Sequence, residues 1–211
     1  MIKIYGAVLS RASRNAWAAE EAGAAYEIVS VDFRNNEHKQ PAFLAINPAG
    51  KMPAMIDGEV MMSESLAINL YIAQNYSIGK LWPSDAKSQA RCLQWSLWAG
   101  AELEPVAYGR LREVLFKKEK ERDRKLLAQL AEQAIPLADT AHAALQSSAY
   151  LAGATFTIAD LNVACVVEYL VRSNFDLAPW PRVAAWYKSC TERPGYRKVH
   201  DMRAAAIKAA A

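Results

Sequence analysis

The stretch Asn47-Pro-Ala-Gly-Lys-Met-Pro-Ala-Met-Ile-Asp-Gly-Glu-Val-Met-Met62 decides the fold. Its second half reads as two short apolar runs, Ala54–Ile56 and Val60–Met62, parted by Asp57-Gly58. Asp-Gly between apolar runs is a strong β-hairpin signal. Pro53 stands at the start of the first run and has no N–H to give a ladder, so it marks an edge or a bulge. Ser65 to Asn75 follows with the spacing of an amphipathic helix. On the N-terminal side, Ile2–Tyr5 reads as a strand ended by Gly6. Ser13 to Gly23 reads as an alanine-rich helix stopped at a glycine, and Tyr26–Val31 as a second strand. A strand, helix and strand in this order form a parallel pair with a right-handed crossover. A polar stretch, Asp32 to Gln40, and a short helical piece, Pro41 to Ile46, complete the order β-α-β-α-β-β-α. That order is the order of a thioredoxin-like α/β domain.

The texture changes after residue 76. Residues 1–76 carry six Lys/Arg against eight Asp/Glu; the remainder is basic and alanine-rich, with long stretches free of Gly and Pro. Ser77 to Ser84, broken by Gly79 and Pro83, reads as a linker. The expected organisation is a thioredoxin-like domain over 1–76, a linker over 77–86 and an all-α domain over 87–211. In the last part, Lys87 to about Lys118 is expected as one long helix bent at Pro105. Further helices are expected over Asp123–Ser147 with Pro136 inside, over Thr157–Arg172 apolar on all sides, and from Pro181 and Pro194, where proline suits the first turn. The mixed-sign run Lys117–Lys125 reads as a solvated helix end or loop, and the tail Ala204–Ala211 is expected to fray.

Composition narrows the function. The chain has 211 residues, 53% apolar and 22% charged, with a net charge of +3. That is not a disordered chain, and the charge is too small to argue for nucleic acid. No apolar run approaches the roughly 20 residues of a membrane span, and residues 1–5 do not read as a signal peptide. Three widely spaced cysteines (Cys92, Cys165, Cys190) fit a reducing, cytoplasmic setting, and His38, His142 and His200 are too scattered for a zinc site.

Four segments resemble the cytosolic glutathione transferases, and the resemblance covers nearly the whole chain. Leu9-Ser-Arg-Ala-Ser-Arg14 is similar to the serine-type active-site turn, and Asn47–Ala54 to the family's N-P-x-G-x-V-P segment, whose last proline is cis in that family. Ser63-Glu-Ser-Leu-Ala-Ile68 is similar to its E-S-x-A-I segment, and Phe156-Thr-Ile-Ala-Asp160 to a segment of its helical domain. The class indicated is serine-type, theta- or phi-like. Thr157 and Asp160 also read on their own terms as a capping box worth ~1 kcal/mol.

The resemblance implies a transferase that joins glutathione, its co-substrate, to a small hydrophobic electrophile, without a metal, as a cytoplasmic homodimer in detoxification. It implies that Ser65 and the helix start there hold the γ-glutamyl carboxylate, with Glu64 near the ammonium. Met52, before Pro53, would pair with the peptide backbone as an added strand does. Lys51, Lys39 and His38 would meet the glycyl carboxylate. Trp95, Trp98, Glu102 and Tyr108, with Ala101 and Leu111, would line an electrophile site between the domains; aromatics at this spacing also suit a core or a dimer interface.

No cysteine lies in residues 1–91, which argues against thiol–disulfide chemistry. Ser10 can instead hydrogen-bond the thiolate of glutathione. A free thiol has a pKa of about 8.5, and a hydrogen bond to a charged acceptor contributes about 1.5–3 kcal/mol, roughly one to two pKa units. Arg14 adds to this if it points inward, or else forms a structural ion pair. Ser13 is the alternative to Ser10 and reads as a good N-cap. Two other functions stay open: glutathione-dependent isomerisation or peroxide reduction at the same site, and a non-catalytic module that only binds ligands or proteins.

Overall fold

A computed structural model describes residues 1–209. The chain forms two compact units, Met1–Trp82 together with Glu192–Ala211, and Pro83–Thr191.

The first unit is built on β1 (Ile2–Tyr5), β2 (Tyr26–Val29), β3 (Ala54–Asp57) and β4 (Val60–Ser63), in the order β2-β1-β3-β4. β1 runs parallel to β2 in register Ile2↔Tyr26, and antiparallel to β3 in register Tyr5↔Ala54. β3 and β4 form the hairpin expected at Asp57-Gly58. Alternation along the strands sends Ile2, Ile4 and Met55, all fully buried, to one face. α1 (Ala12–Ala22) ends at Gly23, whose φ of 67° makes the left-handed stop that glycine takes without steric cost. α1 packs against α3 (Ser65–Tyr76), which buries Ser65, Ile68, Asn69, Ile72 and Ala73 at helical spacing. A short α2 (Pro41–Leu44) brings Phe43 against Val31 and Ala54, with Tyr5, Ile46 and Met52 around them. Ahead of it lies a single 3₁₀ turn, Glu37–Lys39, in the stretch the sequence reading left irregular.

The segment read as a linker is a folded turn. Ser77, Leu81 and Trp82 are buried, and the Trp82 N–H donates to the Ser77 carbonyl at 3.0 Å. The final helix, α9 (Pro194–Ala209), packs on α1 rather than joining the helices that precede it in sequence. Arg193 grips Glu21 with two bonds of 3.0 and 2.6 Å, Lys198 meets Glu20 at 2.7 Å, and Tyr196 sits edge-on to Trp17. Through Ala209 the tail is helix, not frayed chain; residues 210 and 211 lie outside the described residues.

The second unit holds α4 (Ala86–Trp98), α5 (Glu104–Leu115), α6 (Arg124–Ala144), α7 (Ile158–Arg172) and α8 (Pro181–Thr191). The long helix expected over 87–118 is two helices joined by a π-helical turn, Ala99–Leu103, and it ends at Leu115. The wide turn lies just ahead of Pro105. There the proline ring would crowd the carbonyl four residues back and leaves it without a donor. α7 packs against α4, α5 and α8 and is buried on nearly every side, as its sequence requires. Asn162 of α7 donates to Ser96 of α4 at 2.9 Å inside this core. The capping box is present and is more than a cap. The buried Asp160 carboxylate accepts from the Thr157 N–H and hydroxyl at 2.9 and 3.0 Å, from the Leu151 N–H at 2.8 Å and from the Trp186 indole at 2.9 Å.

Candidate active site

Gly6 leaves the sheet with a φ of 152°, in backbone space open to glycine. A Cβ there would lie 3.0 Å from Ala12 Cβ, 3.3 Å from Ser10 Oγ and 3.6 Å from Met52 Cβ. The serine turn and the segment before Pro53 therefore meet at one close-packed corner. The Met52–Pro53 peptide bond is cis. Met52 stands just outside the sheet ladder, whose register begins at Ala54.

Ser10 is half-buried. Its hydroxyl donates to the Ala7 carbonyl at 2.7 Å and accepts from the Ala12 N–H at 3.2 Å. Ser13 is not the N-cap; α1 begins one residue earlier, at Ala12, and the Ser13 hydroxyl donates back to the Ser10 carbonyl at 2.9 Å. Arg14 is buried and runs inward, where Nη1 donates to Ser65 Oγ at 3.1 Å.

Ser65 opens α3, the place where amide donors of a helix lack intrahelical acceptors and the dipole favours an anion. Glu64, exposed and immediately before it, has φ 69° and ψ 107°. A non-glycine residue in that region costs about 1–3 kcal/mol, and such residues cluster at active sites and ligand clamps.

His38 lies in the 3₁₀ turn, 5% exposed, with Phe33 stacked on it at 4.5 Å and 13° between planes. Its Nδ1 has no hydrogen-bond partner among the described residues. The Lys39 side chain lies across Gly50, with Nζ 3.5 Å from the Ala49 carbonyl. Lys51 is exposed, and its carbonyl accepts from Asn47 Nδ2 at 2.6 Å. Asn47 also accepts from the Ala49 N–H at 3.2 Å, so this buried residue shapes the whole loop. An asparagine that caps the N–H two residues on forms an Asx turn, the local motif for which asparagine is favoured in loops.

In the second unit, Trp95 is buried and sits edge-on to Trp98 at 5.0 Å. Glu102 is exposed in the π turn, and Leu111 is buried. Tyr108 turns to Tyr169 of α7, 5.6 Å away. Of the four aromatic and acidic residues expected at an electrophile site, the structure brings Trp95 and Trp98 together and pairs Tyr108 elsewhere.

Residues 1–74 match the family model of the glutathione S-transferase N-terminal domain and residues 107–194 that of its C-terminal domain. Glutathione S-transferase 3 of Zea mays is 35% identical, over 93% of this chain and 92% of its own length. This chain belongs to the glutathione S-transferase family. The transferase also resembles, with a TM-score of 0.87 and 32% identity over 96% of this chain and 97% of the other, the maize glutathione S-transferase I solved with an atrazine glutathione conjugate. A theta class glutathione S-transferase of Xanthomonas axonopodis pv. citri, solved with glutathione bound, gives a TM-score of 0.86 and 31% identity over 93% and 95%. Among the described residues of the transferase, no group of three or more His, Cys, Asp or Glu is placed to hold a metal ion, and no helix is long and apolar enough to cross a membrane.

Proposed function

We propose that this transferase holds glutathione along the rim formed by the Ser10 turn, Met52–Pro53 and the start of α3, and that it adds the thiolate to small hydrophobic electrophiles. The observation that carries this is the corner at Gly6, where Ser10 Oγ and Met52 Cβ both border the space that a Cβ on Gly6 would fill. The peptide backbone of glutathione runs along Met52 as an added strand, its γ-glutamyl carboxylate at Ser65 and its ammonium near Glu64. The glycyl carboxylate meets His38, Lys39 and Lys51. The sulfur then lies at Ser10. The thiolate attacks an electrophilic carbon, a carbon–sulfur bond forms, and for an aryl halide the carbon–halogen bond breaks and halide leaves. No bond to the protein forms.

The division of labour reads along the chain: residues 1–76 hold glutathione, 77–86 connect, and of residues 87–211 the helices α4 to α8 supply the electrophile site through Trp95, Trp98, Glu102 and Tyr108, while α9 packs back on α1. The likeness to glutathione transferase F2 of Populus trichocarpa and to a theta class glutathione S-transferase supports a serine-type, theta- or phi-like assignment. The reading includes a cytoplasmic homodimer acting in detoxification, with all three cysteines free and buried.

The hydroxyl of Ser10 already has an acceptor, the Ala7 carbonyl. Turning to the sulfur exchanges a neutral hydrogen bond of about 1 kcal/mol for a charge-assisted one of about 1.5–3 kcal/mol. The net, about 0.5–2 kcal/mol, lowers the thiol pKa by about 0.4–1.5 units, and the N-terminus of α1 adds to it. Ultraviolet difference titration of bound glutathione tests this. Wild type and Ser13→Ala should show a depressed thiol pKa, and Ser10→Ala should return it toward the free value. An unchanged pKa in all three, or a change confined to Ser13→Ala, removes Ser10 from the role.

A further inference from the structure

The start of α3 is tied to α1 by four side chains, two of which, Asn15 and Asn69, belong to none of the four motifs. Arg14, Asn15, Ser65 and Asn69 are all buried, Asn15 and Asn69 fully so. Asn15 Nδ2 donates to the Ser65 carbonyl at 2.8 Å and to Asn69 Oδ1 at 2.7 Å. Arg14 Nη1 donates to the Ser65 hydroxyl at 3.1 Å. Two consecutive residues of α1 thus grip Ser65 at its backbone and its side chain. Asn69, one helical turn further along α3, holds the same amide group of Asn15. The same two helices otherwise bury alanine and isoleucine, Ala12, Ala16, Ile68 and Ile72 among them. Apolar contact of that kind tolerates a small slide; a buried amide pair with fixed donor and acceptor selects one register.

Ser10 stands in the turn that leads into α1, and Ser65 opens α3. We propose that Asn15 and Asn69 are positioning residues for glutathione, fixing Ser65 relative to the Ser10 turn so that one ligand meets both ends of the site at once. This rests on the reading that the γ-glutamyl carboxylate lies at Ser65 and the sulfur at Ser10. Neither asparagine touches the ligand. Both act through Ser65, and a misplacement of about 1 Å there can cost up to ~100-fold in rate.

The test uses the full chain and compares wild type with Asn69→Leu, which keeps the branching in a somewhat larger side chain and removes the acceptor, and Asn69→Asp, which restores an acceptor for Asn15. Measured are KM for glutathione and kcat with a chloronitrobenzene electrophile, the thiol pKa of bound glutathione, and the melting temperature. Asn69→Leu should raise KM for glutathione about three- to tenfold and return part of the thiol pKa depression, with KM for the electrophile unchanged and Asn69→Asp recovering most of the loss. A variant that melts earlier but keeps the wild-type KM for glutathione and thiol pKa overturns the proposal, since the link is then structural only. If Asn69→Leu does not fold, Asn69→Ser, too short to reach Asn15, carries the same two outcomes. Wild type that neither binds glutathione nor depresses its thiol pKa defeats the site itself and the inference with it; wild type that does both, beside variants that match it, defeats the inference alone.

Discussion

Replacing Asp160 by asparagine separates two accounts of the segment Phe156–Asp160. As a plain capping residue, Asp160 contributes ~1 kcal/mol. The structure gives it four donors instead, two on each carboxylate oxygen: Leu151 N–H and Trp186 Nε1–H on one, Thr157 N–H and hydroxyl on the other. Asparagine keeps one oxygen and can serve one pair; its NH₂ then faces two donors that have lost their acceptor. Hydrogen bonds to a charged group contribute about 1.5–3 kcal/mol each, so the loss of two predicts about 3–5 kcal/mol after allowing for non-additivity. Asp160 is fully buried, so water offers no substitute. That is a large share of the ~5–15 kcal/mol that holds a domain folded. Equilibrium unfolding in urea, followed by tryptophan fluorescence and by far-ultraviolet circular dichroism, measures it. A loss under about 1 kcal/mol at unchanged m-value would refute the four-donor account and leave only the cap.

Two further predictions concern pH. The Glu113 carboxylate takes Lys117 at 2.6 Å and the Asp123 N–H at 3.0 Å, and these, Lys117 first, hold it below its ordinary range. A depressed folded value means stability that is present above the ordinary glutamate pKa of about 4.3 and is lost as pH falls through the folded value. Glu113→Gln should flatten the acid limb of urea midpoint against pH; an equally steep limb counts against the pairing. The Tyr76 phenol donates to Asp57 at 2.5 Å, and that bond pushes it up to about 12. Its contribution is complete below the ordinary tyrosine value of about 10 and is lost as pH rises through the folded one. Tyr71 donates to the same carboxylate at 3.0 Å and is raised, by burial first and then by that bond, and burial and Glu20 raise Tyr26. Phenolate absorbance should show a late-titrating group of tyrosines, part of which moves down in Asp57→Asn; an unmoved titration contradicts the bond.

What was legible in the sequence was local. The hairpin at Asp57-Gly58, the stop at Gly23 and the cap at Thr157 each depend on residues a few positions apart, and the parallel β1–β2 pair follows from a single helix set between two strands; all four are present in the structure. Pro105 announced a disturbance in its helix, but its form depends on how the backbone upstream relaxes, and the π turn could not be read from the proline alone. The placement of α9 depends on Glu20, Glu21 and Trp17, more than 170 residues away for the Glu21–Arg193 pair, and its own sequence says only that it is a helix. Ser10, Met52, Pro53, Glu64 and Ser65, the residues of the proposed site, stand out in the sequence because they sit in contiguous motifs. Asn15 and Asn69 do not, since a buried asparagine on a helix looks from sequence like a solvated one, and its partner is set by packing. Arg14 was named with its destination open, and only the structure takes it to Ser65.

The first unit contains both ends of the chain, Met1–Trp82 and Glu192–Ala211, with Pro83–Thr191 between them. On the ribosome this orders events in time. At roughly 5–20 residues per second, the intervening ~110 residues take roughly 5–20 s to make. For that interval β1–β4 and α1–α3 exist without the helix that covers Trp17 and neutralises Glu20 and Glu21. A nascent chain released before Glu192 would leave that face of α1 uncovered, whatever the state of the helices already made.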